Sequence, residues 1–151
     1  MLTIYKPSLE DLWLRQKMLE DEETMSYNHA YGGTISFPKE KWEGWYQRWM
    51  NDDKRYYRYL KIGNTFVGEI AYHYDEEYKG YMVDVLIHSK YRHNGYGKEG
   101  LKLLMKIAKE NGIDTLHDNI AIDNPALSLF IECGFIEEWY NDEIILLKKT
   151  L

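Results

Sequence analysis

A cation and two glycines stand between an apolar run and a long amphipathic segment, in the stretch YRHNGYG at residues 91–97. Gly95 and Gly97 leave successive backbone N–H groups unobstructed by side chains, and a following helix adds the positive end of its dipole. Arg92 contributes a full positive charge, and Lys98 follows in the first predicted helical turn. This combination is suited to holding an anion such as a pyrophosphate.

Two other interpretations of this stretch are open. A Gly-x-Gly also occurs in plain turns, where glycine supplies unusual backbone angles. Gly95, Gly97 and Gly100 also spell the G-x-G-x-x-G of a dinucleotide-binding loop, with Asp118 near the place of a ribose-binding acid. That motif expects its glycines at the end of a strand in a doubly wound sheet, whereas residues 88–94 intervene here and the preceding strands form an antiparallel meander. An anion-binding loop is therefore favoured.

Four ionisable residues lie on a hairpin that the sequence predicts just before this loop. Period-two alternation over residues 65–74 and 81–89 predicts two antiparallel strands, and a symmetric turn between them pairs Tyr74 with Tyr81. In this register one face of the hairpin carries Glu69, His73, Asp84 and His88. Glu69 and Asp84 become diagonal neighbours, about 7–8 Å apart. The face is interpreted either as a cleft with a carboxylate general base or as the wet side of a sheet.

The opposite face of the same hairpin is almost wholly apolar. The alternation places Phe66 on this apolar face, together with Ile70 and Val83, and places Val67 on the polar face. The prediction depends on the register, because a slip of one residue would exchange the two faces.

The remaining elements follow from periodicity and from helix and turn signals. Residues 2–5 predict a strand, Ser8 with Asp11 predicts the start of a helix, and Pro38 precedes a second helix. Further strands are predicted at residues 56–62, near 113–117 and in a final hairpin over 135–147, with a long helix after Gly95 and a short one after Asn124. This order predicts an α/β fold with a mixed, mostly antiparallel sheet flanked by helices.

Composition narrows the class of protein. The chain has 151 residues, which predicts a single domain over 1–151, and a formal net charge of −6 without a basic tail, which argues against a nucleic-acid partner. Its single cysteine, Cys133, excludes an intrachain disulfide and a cysteine-based metal cluster, so no metal is expected. The sequence predicts no membrane span or signal peptide, and a cytoplasmic monomer or homodimer is expected.

Two motifs give the sequence a specific resemblance. The stretch VLIHSKYRHNGYGKEGLKLL resembles the acetyl-CoA-binding motif of the GNAT N-acetyltransferase superfamily, Arg/Gln-x-x-Gly-x-Gly/Ala, at Arg92, Gly95 and Gly97. A second family signature, an Asn, a short helix and a Gly-Phe pair, is matched by Asn124, Gly134 and Phe135. The predicted order of elements also agrees with that fold along nearly the full length.

The resemblance implies acetyl transfer from acetyl-CoA to an amine. It implies that the pyrophosphate lies against a loop and the pantetheine arm against backbone N–H groups and two later side chains. These cofactor-binding positions are Leu86, Ile87, His88, Arg92, His93, Asn94, Gly95, Tyr96, Gly97, Lys98, Asn124 and Phe130. Many family members carry a Tyr where this chain has Phe130, placed to protonate the departing thiolate, so that general acid is absent. Asn124 also has a structural interpretation, as the cap of the helix that begins at Pro125.

An amine of the lysine type has a pKa of about 10.4 and must lose a proton before it can attack. Glu69 and Asp84 are the predicted general bases, with His73 a third candidate beside the substrate. The predicted pocket wall consists of Tyr27, Tyr31, Trp42 and Trp45, whose rings beside carboxylates suit a cation. A small cationic amine is favoured over a protein N-terminus or lysine. The alternative is a catalytically silent acetyl-CoA-binding regulatory module, suggested by Phe130.

Overall fold

The computed structural model describes the backbone of residues 1–151 and every side chain except that of Ala30. In this description the strands are β1 (Leu2–Tyr5), β2 (Arg55–Ile62), β3 (Thr65–Asp75), β4 (Gly80–Ile87), β5 (Thr115–Ala121), β6 (Ile136–Tyr140) and β7 (Ile144–Thr150). The α-helices are α1 (Trp13–Leu19), α2 (Trp42–Met50), α3 (Tyr96–Glu110) and α4 (Leu127–Glu132). Short 3₁₀ turns precede α1 and α2, and another spans Ser26–Tyr31.

The strands form one sheet in the order β1-β2-β3-β4-β5-β7-β6, in which only β4 and β5 run parallel within the described chain. The predicted α/β fold with a mostly antiparallel sheet is therefore confirmed. Two turns set the register of the central strands, one between β2 and β3 and one between β3 and β4. The length of each turn fixes which residues face each other. Tyr74 lies opposite Tyr81 and Ala71 opposite Asp84, as the sequence predicts.

A β-bulge overturns one detail of the predicted faces. Leu60 pairs with Gly68 and Lys61 with Phe66, so Val67 is an extra residue in β3. The extra residue reverses the alternation at that point. Val67 therefore packs in the core beneath α3, and Phe66 packs on the other side of the sheet, the reverse of the prediction.

The two faces of the sheet carry separate hydrophobic cores. Helix α3 covers one face through Leu101 and Leu104, which are fully buried against residues such as Ile70. The N-terminal helices cover the other face, where Leu12 and Met18 pack with Tyr57 and Tyr59 of β2. The polar residues of the β3–β4 hairpin lie on this second face, so the N-terminal segment forms the roof over them.

Strands β4 and β5 diverge soon after they meet. Their pairing in the described structure is confined to Tyr81 with Leu116 and Met82 with His117. The edge of β4 after Met82 is thereby left open toward β5. The opening lies between the polar face of the hairpin and the start of α3.

Two features are absent from the part of the chain that the structure describes. None of the helices described is both long and apolar enough to cross a membrane. No group of three or more His, Cys, Asp or Glu side chains in the described part of the chain is arranged to hold a metal ion.

Candidate active site

The loop at residues 92–98 presents backbone amides at the start of α3. His93 and Gly95 both adopt left-handed backbone conformations, with φ of 67° and 80°, and Gly95 is the residue before the first helical position. No side chain caps this helix, and the described hydrogen bonds supply no protein acceptor for the N–H groups of Gly97 and Lys98. Left-handed residues and free amides just ahead of a helix are features of an anion-binding loop.

Two glycines of the loop differ in what surrounds them. A Cβ at Gly95 would meet no atom within 4 Å, so the space in front of this residue is open. A Cβ at Gly97 would lie 2.9 Å from Leu129 Cδ1 of α4, so this glycine lets α3 and α4 approach closely. The first glycine therefore provides room for a ligand and the second provides room for packing.

The charged side chains of the loop are already engaged by protein groups. Arg92 donates from Nε to the carbonyl of Ile87 (3.2 Å) and from Nη2 to the carbonyl of Thr24 (2.6 Å). Lys98 Nζ lies 3.4 Å from a carboxylate oxygen of Glu132. The sequence interpretation gave both cations to the pyrophosphate, whereas in this structure the free groups of the loop are its amides.

Of the three backbone N–H groups predicted to hold the pantetheine arm, one lies on the open edge of β4. His88 N–H donates to the carbonyl of Val67 at 2.9 Å, which places the His88–Val67 pair among the hydrogen-bonded pairs of the ladder. Because such pairs alternate along antiparallel strands, the N–H of Leu86 also points to β3 and that of Ile87 points away from it. Of the backbone N–H groups of Leu86, Ile87 and His88, only that of Ile87 is therefore available to a ligand.

Glu69 is buried in an ion pair that the sequence did not predict. Its carboxylate oxygens accept hydrogen bonds from Arg15 Nη1 of α1 at 3.0 and 2.8 Å, and Glu69 is only 4% exposed. Arg15 also lies over the ring of Trp45, 4.4 Å from its centroid. Burial raises the pKa of Glu69, and the charge of Arg15 opposes that rise. Both oxygens of this carboxylate are thus occupied by a fixed cation.

Asp84 is the carboxylate that remains available. It lies opposite Ala71, on the face of the sheet that the N-terminal segment covers, and solvent reaches its side chain. No protein group among the described residues donates a hydrogen bond to its carboxylate. Protein atoms nevertheless crowd around the carboxyl, and this desolvation raises its pKa while Arg15 lowers it. A solvent-reachable carboxylate with a raised pKa is suited to general-base work.

Two further groups lie close enough to Asp84 for its charge to shift their pKa values. Desolvation, and then the negative charge of Asp84, raise the pKa of Asp118 on β5. Desolvation also raises the pKa of the half-buried Tyr27 phenol, as do the charges of Asp84 and Glu69. The sequence interpretation considered Asp118 only as a ribose ligand, because nothing local to β5 indicates that it converges on β4.

The other predicted pocket residues divide into core and periphery. Trp42 and Trp45 are both 8% exposed and pack in the core beneath the N-terminal helices. Tyr31 is 59% exposed, and half-buried His73 lies edge-on to Trp49 with its pKa lowered by desolvation. Of the four predicted wall residues, the structure brings Tyr27 to the carboxylates.

Asn124 and Phe130, the two later side chains predicted to bind the cofactor, both contact other protein groups. Asn124 accepts a hydrogen bond from the Ala126 N–H on Oδ1 at 2.9 Å, which closes the turn just before α4; the first residue of α4 is Leu127 and not Pro125 as predicted. Phe130 is 3% exposed and packs edge-to-face on Phe135, with ring centroids 5.0 Å apart. His88 accepts the Lys90 N–H on Nδ1 at 3.3 Å, so its side chain caps the short 3₁₀ turn at Ser89–Tyr91.

Comparison with known proteins identifies the family. A family model described as the Acetyltransferase (GNAT) family matches residues 8–135. Curated proteins gave no match. Solved structures gave many, including a spermidine N-acetyltransferase from Vibrio cholerae in complex with CoA and spermine. That protein is 15% identical, with a TM-score of 0.83 over 99% of this chain and 95% of that chain.

Two further structures illustrate the breadth of the likeness. A putative acetyltransferase from Salmonella typhimurium with its cofactor acetyl-CoA is 15% identical, with a TM-score of 0.78 over 100% of this chain and 94% of that chain. A ribosomal-protein-alanine N-acetyltransferase from Brucella melitensis is 19% identical, with a TM-score of 0.79 over 99% of both chains. At these identities the likeness is one of fold.

Proposed function

The chain belongs to the GNAT acetyltransferase family, and on that basis we propose that it transfers the acetyl group of acetyl-CoA to the amine of a small cationic acceptor. The family makes the protein an acyltransferase. The residues that perform the reaction and the identity of the acceptor are proposed from the arrangement of side chains. The observation that carries the proposal is the solvent-reachable Asp84 beside the open edge of β4.

The 92–98 loop fits a diphosphate. Gly95 has open space in front of it, and the amides of Gly97 and Lys98 have no acceptor among the described groups. We assign His93, Asn94, Gly95, Tyr96, Gly97 and Lys98 to this contact mainly through their backbone. Acetyl-CoA, when bound, supplies a thioester whose acetyl group is activated for transfer.

Asp84 acts as the general base in this proposal. An ammonium group entering from the roofed face meets Asp84, which takes its proton and leaves a nucleophilic amine. Asp118 is the more readily protonated of the two aspartates, because burial and the neighbouring charge both raise its pKa. Asp84 is therefore the one that stays ionised and competent as a base.

Glu69 and Arg15 support the site rather than perform proton transfer. Their buried pair fixes α1 to β3 and holds a negative charge close to Tyr27. The Ile87 N–H on the open edge of β4 is the donor available to polarise a carbonyl oxygen. His73 and the exposed Tyr31 lie farther from this centre in the arrangement we propose.

The choice of a small cation rests on charge. The site gathers three carboxylates, Glu69, Asp84 and Asp118, in a protein with a net charge of −6. A structural neighbour acts on spermidine and was crystallised with spermine, whereas another acts on a ribosomal protein, so the fold alone does not select the acceptor. Polyamines are consequently the first amines to test.

The test is a panel of amines incubated with acetyl-CoA while free thiol is measured. We expect release of CoA with spermine or spermidine, and slower release with neutral amines or with peptide N-termini. Stable binding of acetyl-CoA without thiol release from any amine would favour the silent binding module suggested by Phe130. Peptides that outperform polyamines would overturn the choice of acceptor alone.

A further inference from the structure

A polar cluster joins the N-terminal segment to the residues just before the 92–98 loop. Asp21 Oδ2 accepts hydrogen bonds from the Thr24 N–H (3.0 Å), the Thr24 hydroxyl and the Ser89 hydroxyl (3.1 Å). Ser89 N–H in turn donates to Thr24 Oγ1 at 3.0 Å. Thr24 is fully buried, so both its hydroxyl and the Ser89 amide depend on these partners.

Arg92 closes this cluster from the side of the loop. Its guanidinium donates to the carbonyls of Ile87, Thr24 and, at 3.4 Å, Glu23. One side chain therefore connects the open edge of β4, the start of the loop and the N-terminal segment. We call Asp21, Thr24, Ser89 and Arg92 the interlock.

The segment held by the interlock is also the roof over the proposed acceptor. Residues 20–37, here the acceptor segment, contain Tyr27 and return to α1 through the Phe37 N–H, which donates to Glu20 Oε2 at 3.0 Å. Farther along it, His29 Nε2 lies 3.5 Å from Asp123 Oδ2, beyond the end of β5. The segment thus crosses the opening between β4 and β5, and the interlock fixes its first part.

We propose that the interlock couples the two halves of the active site, so that CoA bound at the 92–98 loop stabilises the acceptor segment. In this role Arg92 is a positioning residue and not a phosphate ligand. A ligand that restrains residues 89–98 restrains Thr24 through the Ser89 amide and the Arg92 guanidinium, and coupling of this kind is reciprocal. The inference rests on the proposed function, since it requires CoA to bind this loop.

Hydrogen exchange read by mass spectrometry tests the coupling without an acceptor. In the wild type, saturating CoA should slow exchange in peptides from both 89–98 and 20–37, the latter by at least about fivefold. Thr24→Val keeps the volume of the side chain and removes the hydroxyl, and should lose the part of the protection of 20–37 that passes through Ser89, while 89–98 stays protected. Thr24→Ser restores the hydroxyl and should restore the protection.

A second pair of measurements separates positioning from general damage. Ser89→Ala removes one hydroxyl and keeps the amide, and should lose part of the protection even where Thr24→Val does not fold. With spermine as the probe amine, both variants should raise the acceptor KM roughly fivefold to tenfold while the Kd for CoA changes less than about twofold.

Three results would overturn the inference. Protection of 89–98 without protection of 20–37 in the wild type would show that the two regions are uncoupled. Full protection of 20–37 in both Thr24→Val and Ser89→Ala would show that the interlock does not transmit the effect. Absence of any protection by CoA would remove the proposed function and this inference together, whereas the first two results leave the proposed function intact.

Discussion

Replacing each of the two hairpin carboxylates by its amide should produce opposite phenotypes. Glu69→Gln removes the charge from a carboxylate that is 4% exposed and holds Arg15 by contacts of 2.8 and 3.0 Å. Asp84→Asn removes the charge from a side chain that solvent reaches and that no cation contacts directly. The first change is expected to reduce stability, and the second to reduce turnover.

The magnitudes follow from burial. Removing one charge of a buried pair costs about 3–5 kcal/mol, and the lower end applies here because glutamine can still accept one hydrogen bond from Arg15. About 3 kcal/mol corresponds to a fall in Tm of about 6–12 °C for a domain of this size. Asp84→Asn should not lower the unfolding free energy, because the raised pKa of Asp84 means that its charge opposes folding at neutral pH, but it should lower kcat by about 10²–10⁴-fold.

Thermal unfolding and thiol release on the same preparations measure both quantities. Assays well below the Tm of Glu69→Gln should show less than a tenfold loss of kcat, and the Kd for CoA should stay within about twofold in both variants. The double variant Arg15→Met with Glu69→Leu serves as a control, because it removes both charges and should recover part of the lost stability. Near-wild-type turnover in Asp84→Asn, with a loss above 10²-fold in a stable Glu69→Gln, would refute the assignment of the base.

Three further predictions concern Asp118, Asp84 and Gly68. Asp118→Asn should raise the Tm at pH 8, by about 2–4 °C for each kcal/mol of unfolding free energy gained, and should have little effect near pH 4. The reason is that the native pKa of Asp118 is raised, so the wild type loses stability as the pH rises through that pKa. A difference in Tm between variant and wild type that is the same at both pH values would contradict the desolvation of Asp118. The value of kcat/KM should fall as the pH drops through the pKa of Asp84, which is raised above the ordinary value of about 3.9. If the residual activity of Asp84→Asn falls at low pH in the same way, another group is responsible for that fall. Gly68→Ala should lower the free energy of unfolding, measured with urea, by more than about 2 kcal/mol, because its Cβ would lie 2.3 Å from the Leu86 carbonyl oxygen. A variant as stable as the wild type would show that β3 and β4 can separate at this point.

The parts of the fold that were predictable are those set by local signals. Alternation, turn length and the glycines at 95 and 97 are all contained in short windows, and they place Glu69, Asp84 and the loop correctly on their elements. The register of β3 with β4 follows from the symmetric turn between them. The bulge at Val67 did not follow, because both alternations around it are regular and the extra residue shows only in the pairing with β2.

The parts that were not predictable depend on contacts distant in sequence. Arg15 meets Glu69 across 54 positions, and nothing on α1 marks this arginine as the partner of a buried acid. The charge of Asp84 reaches Asp118 because β5 lies beside β4, and that neighbourhood is a property of the whole sheet. Arg92 matches the family motif, yet its side chain lies on carbonyl oxygens of the N-terminal segment. Sequence motifs therefore located the loop but not the partners of its charges.

Calorimetric titration of CoA into a matched pair of Gly95 variants tests the central claim most directly. Gly95 has a φ of 80° and open space in front of it, so Asn and Asp, which tolerate this conformation, differ there only in charge. If the amides of the loop hold the pyrophosphate, Gly95→Asn should bind CoA at least about tenfold more tightly than Gly95→Asp, a gap that narrows with salt. Equal affinities, or no heat from the wild type at millimolar CoA, would contradict the account.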